Sequence, residues 1–443
     1  MSKISSHPLA IRSRPPLTGL PTHSHASTKT RSLLFQRDFS LIWWSQCIAQ
    51  VGDGVTKLAL LWFVYAMTGS PIKTTVIGIL QTLPPILFGP LIGVLVDRLP
   101  KKPILVGMDL FRAVTIGLIP CLVTTEAFTV ESLYILVFCN AMATSIFGPA
   151  LYASIPLVVP RSELTAANSL LQSTMSLGII FGPLLSGLGI AASSSQDVLC
   201  INAITYVASA VCLMFVRLPK KSALSQETEN SPVSTIQDLM EGIRFTFFTQ
   251  PMILLLIITA GLYSFGISAF NTLLPVFGRE MLGLGPVEVG YLTSALGVGL
   301  LISSISLVWI TTWRLWRRIN ILVLTSIMTA LAIWGLLWAD NFLFALVLLC
   351  LIGAGSGALT PIEWGIVQEV SPPHLIGRVL ALYGTGAMLA AIAGMTTLGW
   401  ISEQFGEEYS LAGTGFTLLM TAFVAKLFSR WAQRQTTNYS ETN

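Results

Sequence analysis

Asp53 and Lys57 stand four residues apart in "QVGDGVTKLALLWFVYAM" (50–67), a stretch with no other formal charge. On a helix that spacing places an acid and a cation on one face, where each partly neutralises the other. Two chemistries fit. The pair is a local ion pair stabilising a helix bundle from within, or Asp53 is a protonatable group that couples its loading and release to another event. Glu363, in "TPIEWG" (360–365), is a second acid in an apolar run; proton or substrate binding and a hydrated structural role fit it equally. Asp109 and Arg112, three apart in "MDLFRAV" (108–114), read as a structural pair. The densest cluster is "GVLVDRLPKK" (93–102). It sets Asp97, Arg98, Lys101 and Lys102 on a turn directly after the uncharged "ILQTLPPILFGPLI" (79–92).

Bond-making catalysis has no comparable footing. The chain contains no phosphate-cradling Gly-x-x-x-x-Gly-Lys-Ser/Thr loop, no His-Glu-x-x-His and no Gly-x-Ser-x-Gly. His7, His23 and His25 lie in a polar leader, and the six cysteines fall inside apolar blocks without metal or disulfide spacing. The expectation is therefore no enzyme activity, no metal, no cofactor and no nucleic-acid partner.

The elements that must position these charges follow from composition. Of 443 residues, 53% are hydrophobic and 10% charged, against about 25% charged in an ordinary soluble domain. The apolar residues come in blocks long enough to meet the requirement of about 20 residues for a membrane-spanning helix. Hydrocarbon offers backbone groups no partner, so such blocks must be helical. Charge and turn residues divide the chain into twelve spans: 39–67, 74–96, 103–124, 130–153, 164–192, 198–216, 251–277, 286–310, 319–338, 341–366, 375–401 and 409–429. With the N-terminus inside, the cytoplasmic turns collect Arg98, Lys101, Lys102, Arg161, Arg217, Arg314, Arg317, Arg318 and Arg378, while external turns hold mainly acids such as Glu131, Asp197, Asp340, Glu403, Glu407 and Glu408. Positive residues mark the cytoplasmic side, so both termini are expected there.

An internal repeat appears at a shift of 212 positions: Pro149 meets Pro361, Pro160 meets Pro372, Gly182 meets Gly394, Gly187 meets Gly399 and Gly78 meets Gly290. The predicted fold is an all-α membrane protein of twelve transmembrane helices in two pseudo-symmetric six-helix bundles. Residues 1–38 form a disordered cytoplasmic arm without an apolar run resembling a cleavable signal. The bundles occupy 39–217 and 251–430, joined by a cytoplasmic linker (218–250) and followed by a tail (431–443). Within the linker, "STIQDLMEGIRFTFF" (234–248) begins with a capping box and carries an apolar stripe, as an interfacial or partner-binding helix would.

Two parallel six-helix halves with a cytoplasmic connector resemble the major facilitator superfamily, and "GVLVDRLPKK" makes the resemblance specific. Gly93, Leu95, Asp97, Arg98, Lys101 and Lys102 match the signature between that family's second and third helices, with Pro100 in place of the usual glycine. "QVGDGVTKLALLWFVYAMTGS", "MDLFRAV" and "PPHLIGRVLALY" are similar to the branch that contains the enterobactin exporter and macrolide efflux proteins. The resemblance implies alternating access, with Asp97 reaching the N-terminus of the eleventh helix to latch the outward-facing state. Ser371 is the expected N-cap there, followed by Pro372, Pro373 and Arg378. The signature cations also read as ordinary topology anchors. "GIIFGPLLSG" (178–187), with Gly178, Gly182, Pro183 and Gly187, resembles the fifth-helix motif of drug–proton antiporters, although Ser186 replaces one glycine and the fourth span lacks the arginine usual there.

The function this implies is proton-coupled export of a small amphiphilic molecule, such as a siderophore, a macrolide-like drug or a metabolite. The partners are that substrate, protons and the lipid bilayer, for a monomer in the cell membrane. Coupling and substrate contacts fall to Asp53, Lys57 and Glu363. A lysolipid or lipid flippase of the same fold is an alternative, as is a non-transporting receptor or scaffold.

Overall fold

The computed structural model describes residues 33–125, 128–160, 163–218, 251–307, 315–372 and 375–441. They form twelve helices long and apolar enough to cross a membrane. The first six are α1 (Arg37–Thr68), α2 (Pro71–Arg98), α3 (Lys101–Val123), α4 (Val130–Ser154), α5 (Leu164–Ala192) and α6 (Ser195–Met214). The second six are α7 (Pro251–Glu280), α8 (Pro286–Leu307), α9 (Leu315–Gly335), α10 (Phe342–Val370), α11 (Ile376–Phe405) and α12 (Glu407–Glu441).

Short polar signals set the helix ends. Gly69 closes α1 in the left-handed region (φ 60°), and Ser70, two residues after Thr68, caps α2 by accepting from the Lys73 N–H with Pro71 at the first helical position. Thr129 and Ser132 form a reciprocal capping box at α4, while Ser194 and Asn341 cap α6 and α10. These tight turns force neighbouring spans to run antiparallel.

Both halves use the same packing pairs. In the first, α1 packs on α5 and α6, α3 on α4 and α6, and α2 on α4; in the second, α7 packs on α11 and α12, α9 on α10 and α12, and α8 on α10. The halves meet chiefly through α2 against α11 and α5 against α8. The 212-residue repeat is the sequence image of this symmetry. Pro149 and Pro361 both lie inside helices, α4 and α10. Gly182 faces the backbone of Gly54 on α1, and Gly394 faces that of Phe265 on α7. Gly187 crosses α8 at Pro286 and Val287, and Gly399 crosses α2 at Thr75. Small residues let helix backbones approach in a bilayer, where dispersion contacts must replace the hydrophobic drive.

One end of the bundle is basic, with Arg98, Lys101, Lys102, Arg217, Arg317, Arg318 and Arg378 at its helix ends; the other is acidic, with Glu131, Asp197, Glu280, Glu403, Glu407 and Glu408. Three expectations change. Leu33, assigned to a disordered arm, is buried in the first half's core beside Phe39 and Ile42, because it supplies an apolar contact just ahead of α1. The last helix continues to Glu441, past the expected start of a tail. Ser371 is the C-cap of α10; α11 begins at Ile376 after Leu375, which provides no side-chain cap. The segment 234–248 lies outside the described residues.

Candidate functional site

A cavity of about 300 Å³ lies between the halves, walled by α1, α5, α7 and α8. Asp53 and Lys57 both line it, one turn apart on α1. Gln50, Asn271 and Thr293 add uncharged polar groups, and Leu58, Leu61, Met175, Ile179, Leu274 and Leu296 form much of the remaining wall. A narrow polar strip in an apolar wall suits a small amphiphile.

Of the two readings open for Asp53 and Lys57, the local ion pair does not form. Asp53 turns into the first half: Oδ1 accepts the Tyr206 hydroxyl, and Oδ2 lies 3.9 Å from an Arg112 nitrogen. Arg112 also pairs with Asp109, whose second oxygen accepts the Ser209 hydroxyl at 2.6 Å. The Arg112 guanidinium carbon sits 4.3 Å from the ring centroids of both Phe147 and Tyr206, a cation–π arrangement that strengthens away from water. Arg112 and Asp109 are 2% and 0% exposed, whereas Asp53 is 31% exposed. The physical reason for the changed pairing is reach: a guanidinium anchored on α3 offers a fixed planar fork, while an adjacent-turn lysine offers a flexible point charge. Asp53 also borders a second cavity of about 140 Å³, with Gln46, Gln50, Arg112 and Phe147 in its wall. Asp53 thus sits between two cavities, with one oxygen on each partner.

Glu363 does not line the central cavity. It is fully buried within the second half, where its oxygens accept from the Thr259 hydroxyl at 2.7 Å and the Tyr383 hydroxyl at 2.5 Å. That geometry ties α10 to α7 and α11 and leaves no water-filled surroundings of the kind a cytoplasmic-end position suggested. Asn140 bonds to Thr115 at 3.3 Å, a helix–helix contact, while Asn271 lines the cavity.

The fifth-helix motif is a set of crossings. A methyl group at Gly182 would lie 2.5 Å from Gly54 Cα and 2.9 Å from Val55 N; one at Gly178 would strike the Gln50 carbonyl oxygen. These glycines bring α5 against the helix that carries Asp53. Gly182→Val is accordingly expected to cost at least about 1–3 kcal/mol by overpacking, read as a lowered unfolding temperature in detergent. Gly89→Val, at a position with no neighbour within 4 Å of an added Cβ, should stay within about 0.5 kcal/mol. Equal melting of the two variants would contradict the crossing.

Contacts between halves concentrate toward the acidic face. Glu403 at the end of α11 accepts from Ser70 Oγ at 2.5 Å and from the Ile72 N–H at 3.0 Å, so an acid of one half occupies the N-terminus of a helix in the other. Arg279 lies 5.9 Å from the Trp62 ring centroid and 5.7 Å from that of Tyr65. Toward the basic face, an added Cβ at Gly89 or Gly93 on α2, or at Gly377 or Gly384 on α11, would meet nothing within 4 Å. There Lys101 Nζ donates to the Val96 carbonyl, and Lys102 Nζ donates to the carbonyls of Met214 and Val216 at 2.6 and 2.8 Å. These signature cations satisfy C-terminal carbonyls of α2 and α6, where cations are favoured. Arg98 is exposed, and Arg378 lies half-buried in the first turn of α11. The latch assigned to Asp97 falls on a side chain outside the described residues.

Sequence reading did not find Tyr206 and Ser209, which complete the acid cluster from α6. Neither carries a charge, and a tyrosine or serine in an apolar span gives no sign of what it faces.

A family model described as Major Facilitator Superfamily matches residues 42–395. Among curated proteins, the chain is 25% identical over 393 residues to macrolide efflux protein A of Streptococcus pyogenes, covering 88% of this chain and 96% of that protein. It is 25% identical over 408 residues to the multidrug efflux pump Tap of Mycolicibacterium fortuitum, covering 88% and 95% respectively. In fold it is similar to an inward-facing, unoccupied bacterial homologue of the human lysosomal transporter Spinster. The TM-score is 0.70 at 12% identity, covering 93% of this chain and 98% of that one.

Proposed function

The chain belongs to the Major Facilitator Superfamily, and from that membership we propose that it exports a small amphiphilic molecule in exchange for protons. It is a multi-pass transporter of the cell membrane and not an enzyme. Export is supported by the efflux proteins it resembles over nearly their whole length. The positive-inside rule supports a cytoplasmic basic face, with both termini inside. The contacts gathered at the acidic face then correspond to an inward-facing state, with the cavity presented to the cytoplasm.

The observation that carries the coupling is the place of Asp53, an ionisable group at membrane depth that borders both cavities. Such groups are costly at membrane depth, which makes a functional role the default reading. Asp53 releases its proton to the cytoplasm as substrate enters the cavity from that side. The halves then rock about the α2–α11 and α5–α8 crossings, and return brings a new proton from outside. Asp97 holds the cytoplasmic side shut in the outward-facing state, against an α11 N-terminus that has no side-chain cap of its own. Asp97→Asn is expected to slow transport several-fold, the scale of about 1 kcal/mol for a charge at a helix end, with the protein still present in the membrane. Undiminished transport by that variant would remove the latch.

The overall test uses inverted membrane vesicles energised by a proton gradient and offered siderophores, macrolides and lysolipids. Gradient-dependent accumulation of a siderophore or macrolide that collapses on adding an uncoupler supports proton-coupled export. Movement of lysolipids alone would instead establish a flippase. No accumulation from the panel by folded protein would count against export and favour a non-transporting role.

A further inference from the structure

We infer that Lys57 is an anion receptor, and that the transported amphiphile carries a carboxylate or phosphate group which becomes its counter-ion in the central cavity. This rests on the transport reading above and deepens it to a substrate class.

Two charged side chains face the cavity, Asp53 and Lys57. Asp53 uses one oxygen on the Tyr206 hydroxyl and directs the other toward Arg112. Arg112 is held by Asp109, and Asp109 by Ser209. Both acids of this cluster are thus paired with Arg112. Lys57 lies on the same helix one turn away, its side chain open to the cavity, and makes neither a hydrogen bond nor an ion pair among the described residues. Its surroundings on α1 are Gly54, Leu58 and Leu61, and across the cavity stand Asn271 and Thr293. The Thr293 hydroxyl is already committed to the Val289 carbonyl at 2.8 Å.

An ammonium at this depth, in a wall of leucines, needs either water or an anion to offset its lost hydration. Water serves while the cavity is open to one side. When the halves rock and the cavity is cut off, the charged form of Lys57 needs a counter-ion beside it. Asp53 is engaged elsewhere, so the neutralising group arrives with the substrate. A carboxylate or phosphate on Lys57 would have the amides of Gln50 and Asn271 nearby as further donors, and its apolar body would lie on Met175, Ile179, Leu274 and Leu296. A cationic amphiphile meets like charge at Lys57 and an acid already paired with Arg112. The cavity of about 300 Å³ limits the body to small size.

The test is calorimetric titration of the full chain in lipid nanodiscs, with empty nanodiscs as baseline. Four ligands share one body: 4-phenylbutyrate, 4-phenylbutyl phosphate, 4-phenylbutanol and 4-phenylbutylamine. At least one anion is expected to bind about 10-fold or more tightly than the alcohol and the amine, a difference of about 1.4 kcal/mol. Lys57→Met should abolish the preference and Lys57→Arg should keep it, both variants melting as the parent does. The stronger anion tells a carboxylate substrate from a phosphate one, such as a lipid headgroup. Equal affinities, no binding by either anion, or a preference that survives Lys57→Met would overturn the assignment. Proton-driven vesicle uptake without an anion preference would leave export standing and remove the receptor; the preference without driven uptake would do the reverse.

Discussion

Arg112→Met is expected to destabilise the folded protein by about 3–5 kcal/mol, the scale seen when one partner of a buried ion pair is removed. Arg112 is the one cation of a cluster with two acids, Asp53 and Asp109. It stands on α3, pairs with α1 through Asp53, and lies between Phe147 of α4 and Tyr206 of α6. Removing its charge leaves Asp109 fully buried with only the Ser209 hydroxyl. Arg112→Lys should recover little, because an ammonium cannot occupy both rings and the Asp109 oxygen in one plane. The discriminating variant is Arg112→Met with Asp109→Leu. Apolar replacement of a whole buried pair is often neutral, so the double variant should melt closer to the parent than Arg112→Met does. Thermal unfolding of detergent-purified protein reads all three. If Arg112→Met melts with the parent, the cluster is not holding the first half together.

Most of the architecture was legible in the sequence, and the reason is the bilayer. A medium without hydrogen-bond partners permits only helices, so block length gives the spans. The 212-residue repeat was legible because helix crossings accept only small residues: Gly187 and Gly399 recur where the halves touch, at Pro286 and at Thr75. Pairing was not legible. Four-residue spacing pointed Asp53 toward Lys57, yet the tertiary fold supplied Tyr206 and Arg112 from other helices. Local spacing states what is possible on one helix and cannot weigh it against partners brought from elsewhere. The surroundings of Glu363 were hidden in the same way, since its depth along α10 said nothing of Thr259 and Tyr383, which enclose it. Ser371 shows a third limit: a residue between two helices can cap either, and Pro372 beside it suggested the wrong one.

Asp53→Asn is expected to reduce proton-gradient-driven accumulation in inverted vesicles by at least about 10-fold, or about 1.36 kcal/mol of coupling. Exchange of labelled for unlabelled substrate across the same membrane should persist. The two readouts separate because asparagine is the neutral isostere of the acid. Its carbonyl can still accept the Tyr206 hydroxyl, Arg112 keeps Asp109, and Lys57 on the neighbouring turn is untouched. The halves can therefore bind substrate and rock, but the variant is fixed in the uncharged condition and has no proton to release. The position argues for this more than the residue type does. Asp53 is part-exposed between a central and a lateral cavity, whereas Glu363 is sealed inside the second half. Glu363→Gln is thus expected to retain gradient-driven uptake in whatever fraction of the protein folds. Retained driven uptake in Asp53→Asn, together with its loss in Glu363→Gln, would move the proton site to the second half and make Asp53 a structural partner of Arg112.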